Sequence, residues 1–148
     1  MSVIVVGVDG SRGSEAALRF AAEEAALRHS TLRIVSAFHV PAPVYAGGIV
    51  PPVDFISSIR ETAEEIVANA AEEADELCAG LPVQTHVTEG QAADELVREA
   101  EDAELLVVGS RGLGGFRSLL LGSVSQQVAH HAACPVVIVP LPEAEGDE

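Results

Sequence analysis

The chain has 148 residues, enough for one domain, and 48% of them are hydrophobic but only 3% aromatic, so its core must be built from Val, Leu, Ile and Ala. Its formal charge is −15, carried by 23 acidic residues against eight arginines and no lysine. That balance argues against nucleic acid and anionic membrane surfaces as partners, because both need a basic face. An acidic surface whose cations are all Arg fits a high-salt cytoplasm and a GC-rich genome equally well. No apolar run reaches the length of a membrane span. The sequence enters a strand-like run with no basic region before it, so no signal peptide is expected and the cytoplasm is the expected compartment.

In chain order, Val3–Asp9 is a β-branched run ending in Asp9-Gly10, which predicts a strand and a turn. Ser14–His29 carries Leu18, Ala21, Ala22 and Ala25 at helical spacing. Leu32–Val40 predicts a second strand. The segment Pro41–Val53 holds four prolines and two glycines and predicts a long loop, a candidate lid. Asp54–Cys78 is a long helix with an apolar stripe from Ile59 to Leu77 and a solvated, Glu-rich opposite face. Pro82–Thr88 alternates as a third strand, Ala92–Ala100 is a short helix, and Leu105–Ser110 is a wholly apolar and therefore central strand. Ser125–Ala133 is the last helix and Val136–Val139 the last strand. The acidic residues 141–148 read as a frayed tail. Cys78 and Cys134 match no metal or redox spacing and read as small buried hydrophobes.

Alternating strands and helices predict βαβ units and a doubly wound parallel sheet in the order 3-2-1-4-5. Ligands bind such sheets beyond the carboxyl ends of the strands, where the direction of winding reverses. Here that point lies between strands 1 and 4, so the residues around it are Asp9-Gly10 and Gly109–Gly115.

The second of these segments is the most informative in the chain. Gly109-Ser110-Arg111-Gly112 is followed by nine residues and then by Gly122-Ser123. Glycines there let the backbone approach a ligand, and N–H groups at a helix N-terminus form an anion site. The segment lacks the Lys-Ser/Thr end of a P-loop and does not complete the dinucleotide glycine pattern. Ser123 and Gln126 also have capping-box spacing, which predicts that Ser123 caps the last helix. Arg12, Arg111 and Arg117 fall in loops bordering the crevice and could offset phosphate charge. His39 ends strand 2 nearby, whereas His130 and His131 read as helix-end residues that favour the C-terminal dipole. No nucleophile elbow, metal-binding helix or paired acid and base is found.

The pattern of Gly109, Gly112, Gly122 and Ser123 matches G-x2-G-x9-G-[ST], and in this the chain resembles the nucleotide-binding branch of the universal stress protein family. Val5-Val6-Gly7-Val8-Asp9-Gly10-Ser11, Leu32–Phe38 and His131–Pro140 resemble that family's first strand, second strand and last helix and strand. The resemblance covers about residues 3–140, so one family domain over 1–140 is expected, with 141–148 as tail. It implies a Rossmann-like open sheet of the adenine nucleotide alpha hydrolase type, with helices on both faces. It also implies that Gly109, Gly112, Gly122 and Ser123 contact the phosphates and ribose of ATP, with Val124 and Ser125 adding contacts at the helix start. Asp9 would meet the nucleoside end, directly or through Mg2+, and backbone near Ala37 would meet adenine. ADP and AMP are the alternatives to ATP. The last strand is a short apolar edge, and with the resemblance it implies a homodimer paired antiparallel about a two-fold axis. The expected function is a nucleotide-dependent regulatory binding module with little or no catalysis, coupled to dimer shape or to a regulatory protein partner. A slow ATPase or nucleotidyl-transfer enzyme on the same scaffold is the alternative.

Overall fold

The two most apolar strands, β1 (Val3–Gly7) and β4 (Leu105–Gly109), lie side by side at the centre of the sheet. The computed structural model describes residues 2–40, 53–111 and 121–141. The remaining elements are α1 (Arg12–Arg28), β2 (Thr31–Phe38), α2 (Val53–Leu77), β3 (Val83–Glu89), α3 (Ala92–Glu99), α4 (Ser123–His131) and β5 (Val136–Val139). All pairings are parallel and the order is β3-β2-β1-β4-β5, as expected. In register, Val5 faces Arg33 on one side and Leu106 on the other.

Period-two alternation sends successive strand residues to opposite faces. Ile4, Val6, Leu32, Ile34 and Val107 pack with Leu18, Ala21, Ala25, Val67 and Ala74 of α1 and α2. Val3, Val5, Val35, Leu106 and Val108 pack with Leu96 of α3 and Val128 of α4. Helices therefore cover both faces. Ile4, Leu18, Leu32, Ile34 and Leu106 are fully buried, each worth roughly 1.5–3 kcal/mol of transfer free energy. Aliphatic packing does supply the core, as the scarcity of aromatics requires.

Element ends fall within a few residues of the sequence reading. α1 begins at Arg12 rather than Ser14 because Ser11 takes the N-cap, its Oγ accepting the Ser14 N–H at 3.2 Å. It ends at His29, which adopts a left-handed conformation (φ 57°). Cys78 and Cys134 are free thiols, half-buried rather than fully buried, and Cys78 Sγ donates to the Ala22 carbonyl at 3.6 Å. Burial pushes the Cys134 thiol pKa up. No helix among the described residues is long and apolar enough to cross a membrane. Residues 41–52, most of the expected lid, and 142–148, most of the expected tail, lie outside the described residues.

Candidate functional site

The turn after β1 is built around Asp9. Its Oδ1 accepts the Ser11 N–H at 2.9 Å, and its own N–H donates to Ser14 Oγ at 3.2 Å. Ser14 Oγ in turn donates to the Ser11 carbonyl at 3.1 Å. Gly10, at φ +85°, supplies the left-handed step the turn needs. These bonds place the start of α1 directly on the end of β4. A Cβ on Gly13 would lie 2.2 Å from the Arg111 carbonyl oxygen, and one on Gly109 would lie 2.7 Å from the Gly13 carbonyl oxygen. The two glycines thus permit a backbone-on-backbone crossing that no side chain could share.

The other half of the site is pinned by Ser110. Its carbonyl accepts the Gly122 N–H at 2.6 Å and the Ser125 hydroxyl at 2.9 Å. Ser125 Oγ also lies 3.0 Å from the Gly122 carbonyl, and Ser125 is 2% exposed. Ser110 is tied to the sheet edge as well. Its N–H donates to the Val139 carbonyl at 2.8 Å, and its Oγ accepts the Leu141 N–H at 3.2 Å. The two ends of the glycine segment are therefore held together by one buried serine on each side.

The expected capping box is not formed. The N-cap of α4 is Gly122, with no side-chain cap bond, and Ser123 is the first helical residue. Gln126 instead donates through Nε2 to the Leu121 carbonyl at 3.1 Å. The reason is non-local: the Ser110 carbonyl fixes Gly122 in an extended conformation (φ −79°, ψ 175°), so Gly122 takes the cap and the helix starts one residue earlier than the capping box predicts. Ser123 is left exposed at the helix start, where first-turn N–H groups have no intrahelical acceptor.

Between these two halves opens a cleft of about 760 Å³, counting the part open to solvent. Asp9, Ala37, Gly109, Arg111, Gly122, Ser123, Val124 and Ser125 all line it, so every expected site residue among those described converges there. Gly112 lies outside the described residues, as does Arg117. Arg12 is the first residue of α1 and is not among the lining residues, nor is His39. His130 and His131 are exposed at the last turn of α4.

Sequence reasoning missed part of the lining. Ser11 and Ser14 were legible as a cap signal after Asp9-Gly10. Ala92 and Leu96, from α3, were not, because nothing local says that this short helix overhangs β2. The cleft is chemically divided by its sources. β2 and α3 contribute Val35, Ala37, Ala92 and Leu96, all apolar. The β1–α1 turn, the end of β4 and the start of α4 contribute Asp9, Ser11, Ser14, Ser110, Arg111 and Ser123. The N-termini of α1 and α4 both open on this side, each carrying the positive end of a helix dipole. Among the described residues no group of three His, Cys, Asp or Glu could hold a metal ion.

The model of the universal stress protein family matches residues 1–140. A universal stress protein of Mycolicibacterium smegmatis is 37% identical over 143 residues, covering 92% of this chain and 47% of its own length. Universal stress protein Rv2623 of Mycobacterium tuberculosis is 36% identical over 135 residues, with 91% of this chain and 44% of that protein covered. The chain thus spans about half the length of the curated relatives it matches. Among solved structures, a universal stress protein in complex with cAMP superposes with a TM-score of 0.67 at 33% identity, covering 93% of this chain and 95% of that one. The Archaeoglobus fulgidus universal stress protein in complex with dAMP gives 0.66 at 29% identity, with 94% and 98% covered. The fold, the glycine spacing and these matches agree: the chain belongs to the universal stress protein family.

Proposed function

We propose that this chain is an adenine-nucleotide-binding module, that ATP is its ligand, and that it holds the nucleotide rather than turning it over. The observation that carries the reading is the cleft itself. Two helix N-termini and Arg111 face one end of it, and a short apolar slot from β2 and α3 forms the other. The first suits phosphate and the second suits a flat base. The cAMP and dAMP complexes of related chains support an adenine ligand. Gly109, Gly122 and Ser123 would take the phosphates and ribose, with Val124 beside them. The Ser125 hydroxyl, already bonded to backbone carbonyls, would act by holding that loop. Asp9 would meet the ribose, and Ala37 backbone the adenine. Mg2+ would offset the phosphate charge against the acidic chain. Holding without turnover is supported by the described lining residues, whose ionisable side chains are Asp9 and Arg111, with Asp9 Oδ1 engaged by the Ser11 N–H.

We also propose a homodimer through β5, which pairs only with β4 among the described residues and is half-buried along its length. Nucleotide occupancy would be read out through that dimer or by a regulatory protein.

The test is thermal unfolding followed by circular dichroism, with and without ATP and Mg2+, then with GTP, ADP, AMP and cAMP. ATP at about a hundred times Kd stabilises by roughly 2.7 kcal/mol, a rise in Tm of roughly 5–10 °C for a domain of this size. No shift with any nucleotide, from protein shown to be ligand-free, overturns the reading. Phosphate release well above that of a Gly122→Val control would convert it to the slow ATPase.

A further inference from the structure

Beside the apolar end of the cleft a carboxylate is buried. Glu95, on α3, is 7% exposed. Its Oε1 accepts the Thr88 hydroxyl at 2.5 Å and a guanidinium N–H of Arg98. Its Oε2 lies against Gly90, where a Cβ would stand 2.5 Å away. Gly90 itself has φ +151°, and its N–H is held by the Phe38 carbonyl at 2.8 Å. The end of β3 and one turn of α3 together form a socket for one carboxylate. Burying an ion is costly, and an apolar side chain of similar volume would often serve stability as well. Packing alone therefore does not account for it.

What the carboxylate joins is informative. Thr88 is paired in register with Ala37 of β2, and Ala37 lines the cleft. Glu95 sits between Ala92 and Leu96, which line it from α3, while Glu95 itself is not among the lining residues. The Thr88–Glu95 bond therefore ties the β2–β3 wall to the α3 wall. Inward movement of α3 is blocked separately: Leu96 packs so tightly on the sheet that a Cβ on Gly7 would lie 2.7 Å from its Cδ1. Leu96 limits how far the walls can close, and Glu95 limits how far they can part. A slot of fixed width holds a purine at one depth, so that its edge meets the same backbone groups, and that edge is where the amino group of adenine differs from the carbonyl of guanine.

Resting on the nucleotide reading above, we infer that Glu95 is a positioning residue that fixes the width of the base slot, and so sets the preference for adenine over guanine without touching the nucleotide. The phosphate end is held by different bonds, through Ser110, Gly122 and Ser125. A change at Glu95 therefore acts on base choice and leaves phosphate affinity in place.

The experiment is isothermal titration of ATP and of GTP, each with Mg2+, into the wild-type chain, Glu95→Ala, Glu95→Gln and Thr88→Val. Glu95→Ala should cost about tenfold in ATP affinity, because the freed walls no longer hold the base edge in register, with GTP affinity changing by less than about threefold. Thr88→Val, which keeps volume and fold, should shift the ATP-to-GTP ratio the same way. Glu95→Gln, which can still accept the Thr88 hydroxyl, should restore it. A merely structural role predicts a lower Tm with both affinities falling in proportion. An unchanged ratio in Thr88→Val and Glu95→Ala overturns the inference, as does a wild-type chain that binds both nucleotides alike. A wild-type chain that binds neither overturns the nucleotide reading beneath it.

Discussion

Replacing Gly13 by alanine sets a methyl carbon 2.2 Å from the Arg111 carbonyl oxygen. Ordinary carbon–oxygen contact is a little over 3 Å, so about 1 Å of relief is needed, and both sides of the contact are backbone. No rotamer change can provide it; the first turn of α1 must move off β4, or the Arg111 peptide must turn. Overpacking of this kind costs about 1–3 kcal/mol. Alanine regains up to about 1 kcal/mol of helix propensity at this position. The net loss, up to about 2 kcal/mol once that gain is taken in full, lowers Tm by as much as roughly 8 °C for a chain of this size. The same movement separates Ser11 from Arg111, so ATP affinity should fall at least tenfold. Gly80→Ala is the control: φ is +85° there, unlike at helical Gly13, but nothing lies within 4 Å of the added carbon. It should cost about 1 kcal/mol of backbone strain and leave ATP binding unchanged. Circular dichroism melts and ATP titrations of both variants decide the matter. A Gly13→Ala chain with wild-type Tm and wild-type ATP affinity would refute the claim that this crossing shapes the cleft.

Ser125→Ala removes the buried hydroxyl shared by the Ser110 and Gly122 carbonyls. It should cost about 1 kcal/mol, or roughly 3 °C in Tm, with ATP affinity falling as the loop ends loosen; a binding isotherm and a melt measure both. At the opposite end of the strands, the Ser30 hydroxyl donates to Glu104, with Arg28 also in contact at 3.4 Å, and these partners hold the Glu104 carboxyl below its ordinary pKa. Stability from a lowered carboxylate is present above the unfolded value, about 4.3, and is lost as pH falls through the folded value. Glu104→Gln should therefore lower Tm at pH 7 and converge with wild type as pH falls through the folded value; parallel Tm-against-pH curves would contradict the assignment. In β5 the carbonyls of Pro135 and Val139 face β4, so by alternation the backbone groups of Ile138 face outward. Ile138→Pro should then reduce a dimer to monomer by light scattering while the parallel sheet persists in circular dichroism; a dimer that survives places the interface elsewhere.

The sheet was legible because its strands are bounded β-branched runs and its helices show clear periodicity; order followed from handedness. The cleft was legible because glycines cluster at the ends of strands 1 and 4. What escaped was decided at long range. The N-cap of α4 passed from Ser123 to Gly122 because a carbonyl twelve positions upstream, that of Ser110, fixed the chain. The role of Gly13 depends on Arg111, and nothing in the sequence near Gly13 mentions β4. Glu95 sits in a helix rich in acids, and its burial follows only from the approach of Thr88 and Gly90.

The sheet separates the two larger cores, one beneath α1 and α2 and one beneath α3 and α4, which share no side chain among the described residues. Truncations on opposite faces, such as at Leu18 and Leu96, should therefore behave as independent thermodynamic events in the ligand-free chain. The cleft is where that independence ends, since Ser14 of α1 and Leu96 of α3 both border it. A nucleotide seated there would touch both compartments at once and couple them energetically. Occupancy would then be sensed as cooperativity between the two halves of the fold, with no large change of shape required.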